Sequence, residues 1–278
     1  MTPGAYCRAK VAMPGGELYY ALLFTPRPVR GRWVAALTLA TEIIEILDEC
    51  SDPVPARAKL AWWREELDGA PQAARHPATR ALAAAVSRIP LDYFRALVDT
   101  VAARVAVPVF DTHAELRTYS DATSGGFARV AAKLCGATDP RTPERAARLG
   151  GAIGLADHLL HPYRRRGLAR LRLAREDLLR NAVEPRALGA RTTPPGLRTL
   201  LRERLPESET ILCEGVDAIP SSDRAALFPL LAGAAIRRRM IESLRRRDHA
   251  LLERRPELRA ISQLWIAWQA QRQARLRP

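Results

Sequence analysis

Apolar residues recur at helical spacing in one early segment of the chain, at Trp33, Leu37, Ala40, Ile44 and Leu47. This spacing places their side chains on one face of an α-helix, so we predict a helix that buries this stripe. Acidic residues occupy the arc beside it, namely Glu42, Glu45, Asp48, Glu49 and Asp52. The acids either form a solvated charged face, which is the usual outcome, or supply half of a metal site.

Helical patterning extends along the chain, whereas alternation with period two is rare. Ala, Leu, Arg and Glu dominate and favour helix, so the sequence predicts an all-α fold. Residues 1–28 are expected to contribute only a short helical piece, Leu18–Phe24, that covers the core. Further helices are predicted at 29–51, 54–68, 76–88, 91–107, 113–135, 142–161, 174–181, 195–218 with a kink at Pro206, 222–247 and 257–275.

Capping signals support several of these helix starts. Asp52-Pro53 precedes the helix predicted at 54–68, Thr142-Pro143-Glu144 opens the one at 142–161, and Ser221-Ser222-Asp223 caps the one at 222–247. No repeat or low-complexity tract interrupts the series, and 184–194 is expected to be a surface loop. We therefore expect one domain over residues 1–278.

The net charge of +14 comes almost entirely from arginine, because Lys10, Lys59 and Lys133 are the only lysines. Such a charge is typical of proteins that bind nucleic acid or an anionic membrane, and it also arises from codon usage in a GC-rich genome. No nucleic-acid-binding signature accompanies it, so we expect no nucleic-acid partner. The triplets Arg237–Arg239 and Arg245–Arg247 are interpreted as solvated helix faces, with an anionic lipid surface or a protein partner as the alternative.

The four cysteines, Cys7, Cys50, Cys135 and Cys213, lack CxxC spacing and predict neither a disulfide framework nor a zinc site. The amino terminus has no apolar signal region, and no run approaches the roughly 18 apolar residues of a membrane span. We expect a cytoplasmic protein, soluble or peripheral on the inner face of the membrane.

One stretch, LDECSDPVPARAKLAWWREELDG at 47–69, resembles the first signature of the squalene/phytoene synthase family, in which a DDxxDE-like helix precedes a KLxWWRxE helix. Segments 6–24, 171–178, 234–244 and 263–268 are similar to other parts of that family, so the resemblance runs almost end to end. It implies an isoprenoid-synthase-type helical bundle around an apolar cavity. In the family, two aspartate motifs across the cavity mouth hold Mg²⁺ ions that grip a prenyl diphosphate.

Both aspartate motifs depart from the family pattern. In the first, Ile44 stands at the leading aspartate and Glu45 at the next, and Asp48 alone remains as aspartate. A register slip would match Asp48 and Asp52 to a DxxxD motif, but KLAWWREE would then lie four residues out of step.

The second motif would occupy 154–174, where His161 and Arg165 take the places of the metal-binding aspartates and Asp157 that of an asparagine. Pro162 is predicted to end the helix that carries the motif. Asp157, His158 and His161 could together ligate zinc or iron, but without a partner motif we interpret them as polar contacts and predict no metal.

Other cavity positions also differ. By the same resemblance, Glu17 replaces a serine, Arg104 an acid and Arg237 a late cavity tyrosine. The matching residues expected near the cavity are Tyr20, Asp48 and Tyr119. We predict that the arginines, with Arg165, turn the mouth into a metal-independent site for a prenyl phosphate or phospholipid head group. Alternatively, they turn outward or pair with Glu17, Glu45 and Asp48 and close the mouth.

The resemblance and its departures lead to a functional hypothesis. We interpret the chain as a family protein that has lost Mg²⁺-dependent condensation, needs no cofactor and binds an isoprenoid or lipid, or serves as an assembly scaffold with a protein partner. Similar degenerate relatives include an assembly factor for respiratory complex I. The alternative is an active head-to-head prenyltransferase that makes squalene, phytoene or presqualene diphosphate and requires Mg²⁺.

Overall fold

The computed structural model describes residues 1–163, 167–168, 171–254 and 256–276, with side chains through 272. Its regular elements are helical, apart from two isolated bridges, Phe110 with Ala174 and Tyr163 with Leu171. The all-α prediction is thus confirmed. The helices are α1 Pro3–Val11, α2 Glu17–Phe24, α3 Arg27–Ile44, α4 Ile46–Glu49, α5 Pro53–Gly69, α6 Pro77–Ala85, α7 Leu91–Ala106, α8 His113–Ser120, α9 Gly126–Leu134, α10 Thr142–Leu160, α11 Arg175–Arg180, α12 Pro195–Ala218, α13 Phe228–Arg245 and α14 Ala260–Leu276.

Two of the three predicted helix starts are confirmed. The Asp52 carboxylate accepts a hydrogen bond of 2.6 Å from the Val54 amide at the start of α5, and α10 begins at Thr142. The third is wrong, because α13 begins only at Phe228. The buried Asp223 carboxylate instead accepts bonds of 2.6 to 3.1 Å from Thr138, Asp139 and Thr142, so it joins two loops.

Some helix boundaries also differ from the predicted ones. The amino-terminal helix α1 was not predicted, and 29–51 divides at Glu45 into α3 and α4. The predicted helix 113–135 contains a π-helical segment, Asp121–Gly125, between α8 and α9. This segment lies so close to α10 that a Cβ atom at Gly151 would stand 2.1 Å from Asp121 Oδ1.

The packing centres on α10, which contacts the π segment, α9, α12 and α13, while α3 packs on α1, α6, α7 and α9. One hydrophobic cluster extends from Cys7 in α1 to Ile266 in α14. All four cysteines are free. Across the described ranges, no helix combines the length and the apolar character needed to cross a bilayer.

Candidate functional site

A cavity of about 250 Å³ lies among α2, α3, α10, α13 and the π segment. Trp33, Leu37, Ala40 and Ile44, four members of the stripe predicted on α3, line one of its walls. The predicted face is therefore confirmed as an inward one, although it borders a cavity as well as packed side chains. The polar lining residues are Glu17, Thr41, Thr123, Ser124, Asp157 and Arg237.

An ion-paired cluster, formed by Glu17, Asp157 and Arg237, supplies the charged part of this lining. The Arg237 guanidinium donates from Nε and Nη2 to the two oxygens of Asp157, at 2.9 and 3.1 Å. Its Nη1 donates to Glu17 Oε2. The side chains of Arg237, Asp157 and Glu17 are 17%, 25% and 35% exposed.

Two opposing effects act on the pKa of Arg237. Burial lowers it, but the charges and hydrogen bonds of Asp157 and Glu17 outweigh burial and raise the pKa above its ordinary value. The guanidinium is therefore held in its charged form by two carboxylates. The alternative in which Arg237 pairs with Glu17 is confirmed, whereas its pairing with Asp157 was not predicted. Arg237 is thus no part of a solvated face, although Arg238 and Arg239 beside it are exposed.

Two acids at the end of α3, Glu42 and Glu45, turn toward α1. Lys10 Nζ lies 2.6 Å from Glu45 Oε2 and 3.3 Å from Glu42 Oε1. The Tyr6 hydroxyl donates to Glu42 at 2.5 Å, and burial together with this bond raises the pKa of Tyr6 to about 12. These contacts attach α1 to the end of α3. Glu45, which the family resemblance assigns to a metal-binding position, is therefore used in an ion pair.

The second motif lies where α10 ends. As predicted, the helix stops before Pro162: its last residue is Leu160, and the His161 amide donates to the Asp157 carbonyl. The chain then returns to the first motif, where the Leu168 amide donates to the Leu47 carbonyl at 2.8 Å. Arg165 lies outside the described residues.

The predicted polar role of the α10 histidine is consistent with its surroundings. His158 is buried, its Nδ1 lies 3.1 Å from the Arg172 carbonyl, and its ring packs against Phe110 and Tyr119. Asp157 is held by Arg237. Nowhere in the described part of the chain do three or more His, Cys, Asp or Glu side chains cluster so that they could hold a metal ion.

A smaller cavity of about 60 Å³ lies beside the first and shares Ile44 with it. Its other lining residues are Leu47, Asp48, Arg104, Phe110, Tyr119, His158, Leu171 and Arg172. The predicted cavity residues Asp48 and Tyr119 therefore lie here, together with Arg104. Tyr20, by contrast, packs edge to face against Tyr19 and is absent from the described lining of both cavities.

Arg104 is the most unusual group in this smaller cavity. Its guanidinium carbon lies 3.8 Å from the centre of the Phe110 ring. Its Nε and Nη2 atoms are buried and have no hydrogen-bond partner among the residues that the structure describes. Burial lowers the pKa of Arg104, and Tyr119, Glu115 and Asp111 offset only part of that effect. A buried guanidinium with unused donors is costly, so an anion that accepted those bonds would be stabilised here.

Sequence reasoning placed Arg104 and Arg237 at the cavity but did not separate their roles. The sequence signal that could have separated the two roles is that three positions depart from the family pattern together. By the family resemblance, two acids, Glu17 and Asp157, accompany the base Arg237, whereas no acid among the described residues pairs with Arg104.

Comparisons with known proteins agree with this architecture. A sequence model of the squalene/phytoene synthase family matches residues 14–262. A dehydrosqualene synthase crystallised with a ligand superposes with a TM-score of 0.84 at 17% identity, over 98% of this chain and 96% of that one. The squalene synthase HpnC from Alicyclobacillus acidocaldarius gives 0.70 at 22% identity, over 89% and 95%. No curated protein matches the sequence. Because the family match spans most of the sequence, the chain belongs to the squalene/phytoene synthase family.

Proposed function

We propose that this chain binds an isoprenoid or another lipid and has lost the Mg²⁺-dependent condensation of prenyl diphosphates. The observation that carries the proposal is the cluster of Glu17, Asp157 and Arg237 in the larger cavity. In this cluster the carboxylates of Glu17 and Asp157 are both bound to Arg237 and are therefore not free to bind a cation. A cavity that recruits metal ions needs carboxylates that are available to cations.

The residues around the two cavities do not fit Mg²⁺. This ion requires several oxygen ligands in near-octahedral geometry. Ile44 offers none, Glu45 is paired with Lys10, and Asp48 shares its small cavity with Arg104 and Arg172. We therefore derive no catalytic step through a metal at this site.

The two cavities suit the two ends of an amphiphile. The larger one has an apolar wall and is near the lower end of ligand-pocket volumes, roughly 300 Å³, so it suits part of a prenyl or acyl chain. The smaller one offers the unused Nε and Nη2 donors of Arg104, which can bind phosphate oxygens directly and without a bridging cation. Ile44 lines both cavities, so the tail and the head would lie on either side of it.

Calorimetry with a non-hydrolysable farnesyl diphosphate analogue, run in EDTA, tests this site. We expect metal-independent binding that Arg104→Gln weakens about tenfold or more, since a charge-assisted hydrogen bond contributes about 1.5–3 kcal/mol. Arg186→Gln, which removes an exposed arginine paired with Glu184, is the matched control and should bind normally. Absence of heat with folded protein at millimolar analogue would contradict ligand binding and leave the assembly-scaffold role.

A second assay tests the loss of catalysis. Purified protein supplied with Mg²⁺ and farnesyl or geranylgeranyl diphosphate should release no pyrophosphate above background. Ile44→Asp alone should not restore activity, because the Arg237 cluster and the changed second motif remain. Formation of squalene, phytoene or presqualene diphosphate would overturn the proposal in favour of an active head-to-head prenyltransferase.

A further inference from the structure

A second surface lies on the outside of the bundle, away from both cavities, between α13 and α14. It is a groove of about 620 Å³, and we call it the α13–α14 groove. Arginines from α13 and the turn after it, Arg239, Arg246 and Arg247, form one side. Apolar residues at the start of α14, including Ile261 and Trp265, form the other.

The apolar side of this groove is open to solvent. Ile261 is 74% exposed and Trp265 is 54% exposed. They stand four residues apart, so they occupy the same face of α14. Trp268 packs on Trp265 with ring centres 4.7 Å apart, and the Arg272 guanidinium lies 4.9 Å from the centre of the Trp268 ring. Apolar side chains grouped in this way on a protein surface are typical of a contact site.

The charged side is only partly neutralised within the protein. Arg239 and Arg246 both pair with the single carboxylate of Glu242. Arg247 donates to the carbonyls of Ser243 and Arg254. These acceptors carry no formal charge, so they do not neutralise the positive charge of Arg247. None of the described lining residues is acidic, and the sequence from 258 to 278 contains no Asp or Glu. The groove therefore carries a net positive charge at every physiological pH.

We propose that the α13–α14 groove docks the chain on an anionic phospholipid bilayer. Trp265 and Ile261 would enter the boundary between head groups and acyl chains, which favours tryptophan because its ring is amphipathic. Arg239, Arg246 and Arg247 would contact the lipid phosphates, each charge adding to the attraction. A bilayer fits better than an acidic protein segment because the apolar ridge is flanked by cations, as in helices that lie in a membrane interface.

Flotation with vesicles tests the proposal on the full chain. We expect binding to vesicles that contain phosphatidylserine or phosphatidylglycerol, no binding to pure phosphatidylcholine, and weaker binding as salt rises, since exposed charges are screened over about 10 Å at 0.1 M salt. The double variant Arg239→Gln/Arg246→Gln should lower the partition coefficient about thirtyfold. Its control, Arg129→Gln/Arg186→Gln, removes the same charge from other faces and should bind like the unmodified chain.

The apolar side is tested separately. Ile261→Ser/Trp265→Ser should weaken binding to anionic vesicles, whereas Val54→Ser/Leu179→Ser, which alters apolar residues of similar exposure elsewhere, should not. Brominated acyl chains should quench tryptophan fluorescence in the unmodified chain and less so in Trp265→Phe. Equal binding to neutral and anionic vesicles, or equal effects of groove and control variants, would overturn the proposal. So would binding to an acidic peptide with no binding to vesicles at any salt, which would make the groove a protein-docking surface.

Discussion

Replacing Arg237 by tyrosine, the residue that the family resemblance assigns to this position, tests whether the ion-paired cluster is a single unit. In the variant Arg237→Tyr, Glu17 and Asp157 lose their common partner and remain beside an apolar cavity. We expect this variant to be markedly less stable than the unmodified chain. We also expect that adding Glu17→Ser and Asp157→Asn, which complete the family set, restores much of the loss.

The geometry sets the size of the effect. Removing one partner of a buried ion pair costs about 3–5 kcal/mol because an uncompensated charge is left behind. Asp157 makes two bonds to Arg237 at 2.9 and 3.1 Å and is mostly buried. Glu17 is 35% exposed, so water screens its part and reduces it. We therefore expect Arg237→Tyr to lower the free energy of unfolding by about 3 kcal/mol.

Urea unfolding followed by circular dichroism and tryptophan fluorescence measures these differences. The triple variant should recover at least half of the lost free energy, since it contains no unpaired charge. Arg238→Tyr, at an exposed neighbour on the same helix, is the control and should change stability by less than about 0.5 kcal/mol. The reasoning is refuted if Arg237→Tyr resembles this control, or if the triple variant is no more stable than the single one.

Two further predictions concern other buried charges. Arg104→Met should raise the free energy of unfolding in the absence of ligand by about 1 kcal/mol, because a buried group with unused donors costs about 1–3 kcal/mol; a loss of stability in urea unfolding would contradict this. Burial raises the pKa of Asp223, but its bonds from Thr142, Thr138 and Asp139 outweigh burial and lower the pKa overall. Its contribution to stability is therefore complete above the unfolded pKa of about 3.9 and is lost as pH falls through the lower folded pKa. Asp223→Asn should make stability less dependent on pH between about 5 and 2, and an unchanged acid profile would argue against this role.

Local sequence signals predicted most of the helices but not their interruptions. Asp52 acts on the helix that directly follows it, so its capping role could be deduced from neighbouring residues alone. Asp223 has the same local appearance, yet its carboxylate is used by residues more than 80 positions away. The π segment likewise depends on the glycines of α10, which admit Asp121 and Ser124 at close range. Such features follow from tertiary packing rather than from periodicity.

The part of the site that lies on α3 was predictable, because helical spacing determines which α3 residues face inward. The stripe from Trp33 to Ile44 lines the cavity as its spacing requires. Pairing preferences were not predictable, because a charged side chain several bonds long can reach partners on several helices. Lys10 pairs with Glu42 and Glu45 and so links them to α1. This pairing was not foreseen, because no helix was predicted around Lys10.

If metal-dependent condensation is lost, as we propose, the ion pairs of Arg237 give a reason why single substitutions toward the family pattern should not restore it. Ile44→Asp would add a carboxylate to the cavity that Arg237 also lines. Arg237 already binds Asp157 and Glu17, and we expect the new acid to compete with them for Arg237 as well as for a cation. Removal of Arg237 would free two carboxylates, but the helix that aimed the second motif still ends at Leu160. Residues in one ion-paired network act non-additively. If the residues that the family resemblance implies are restored at positions 17, 157 and 237, we therefore expect metal binding to return only when all three are exchanged together.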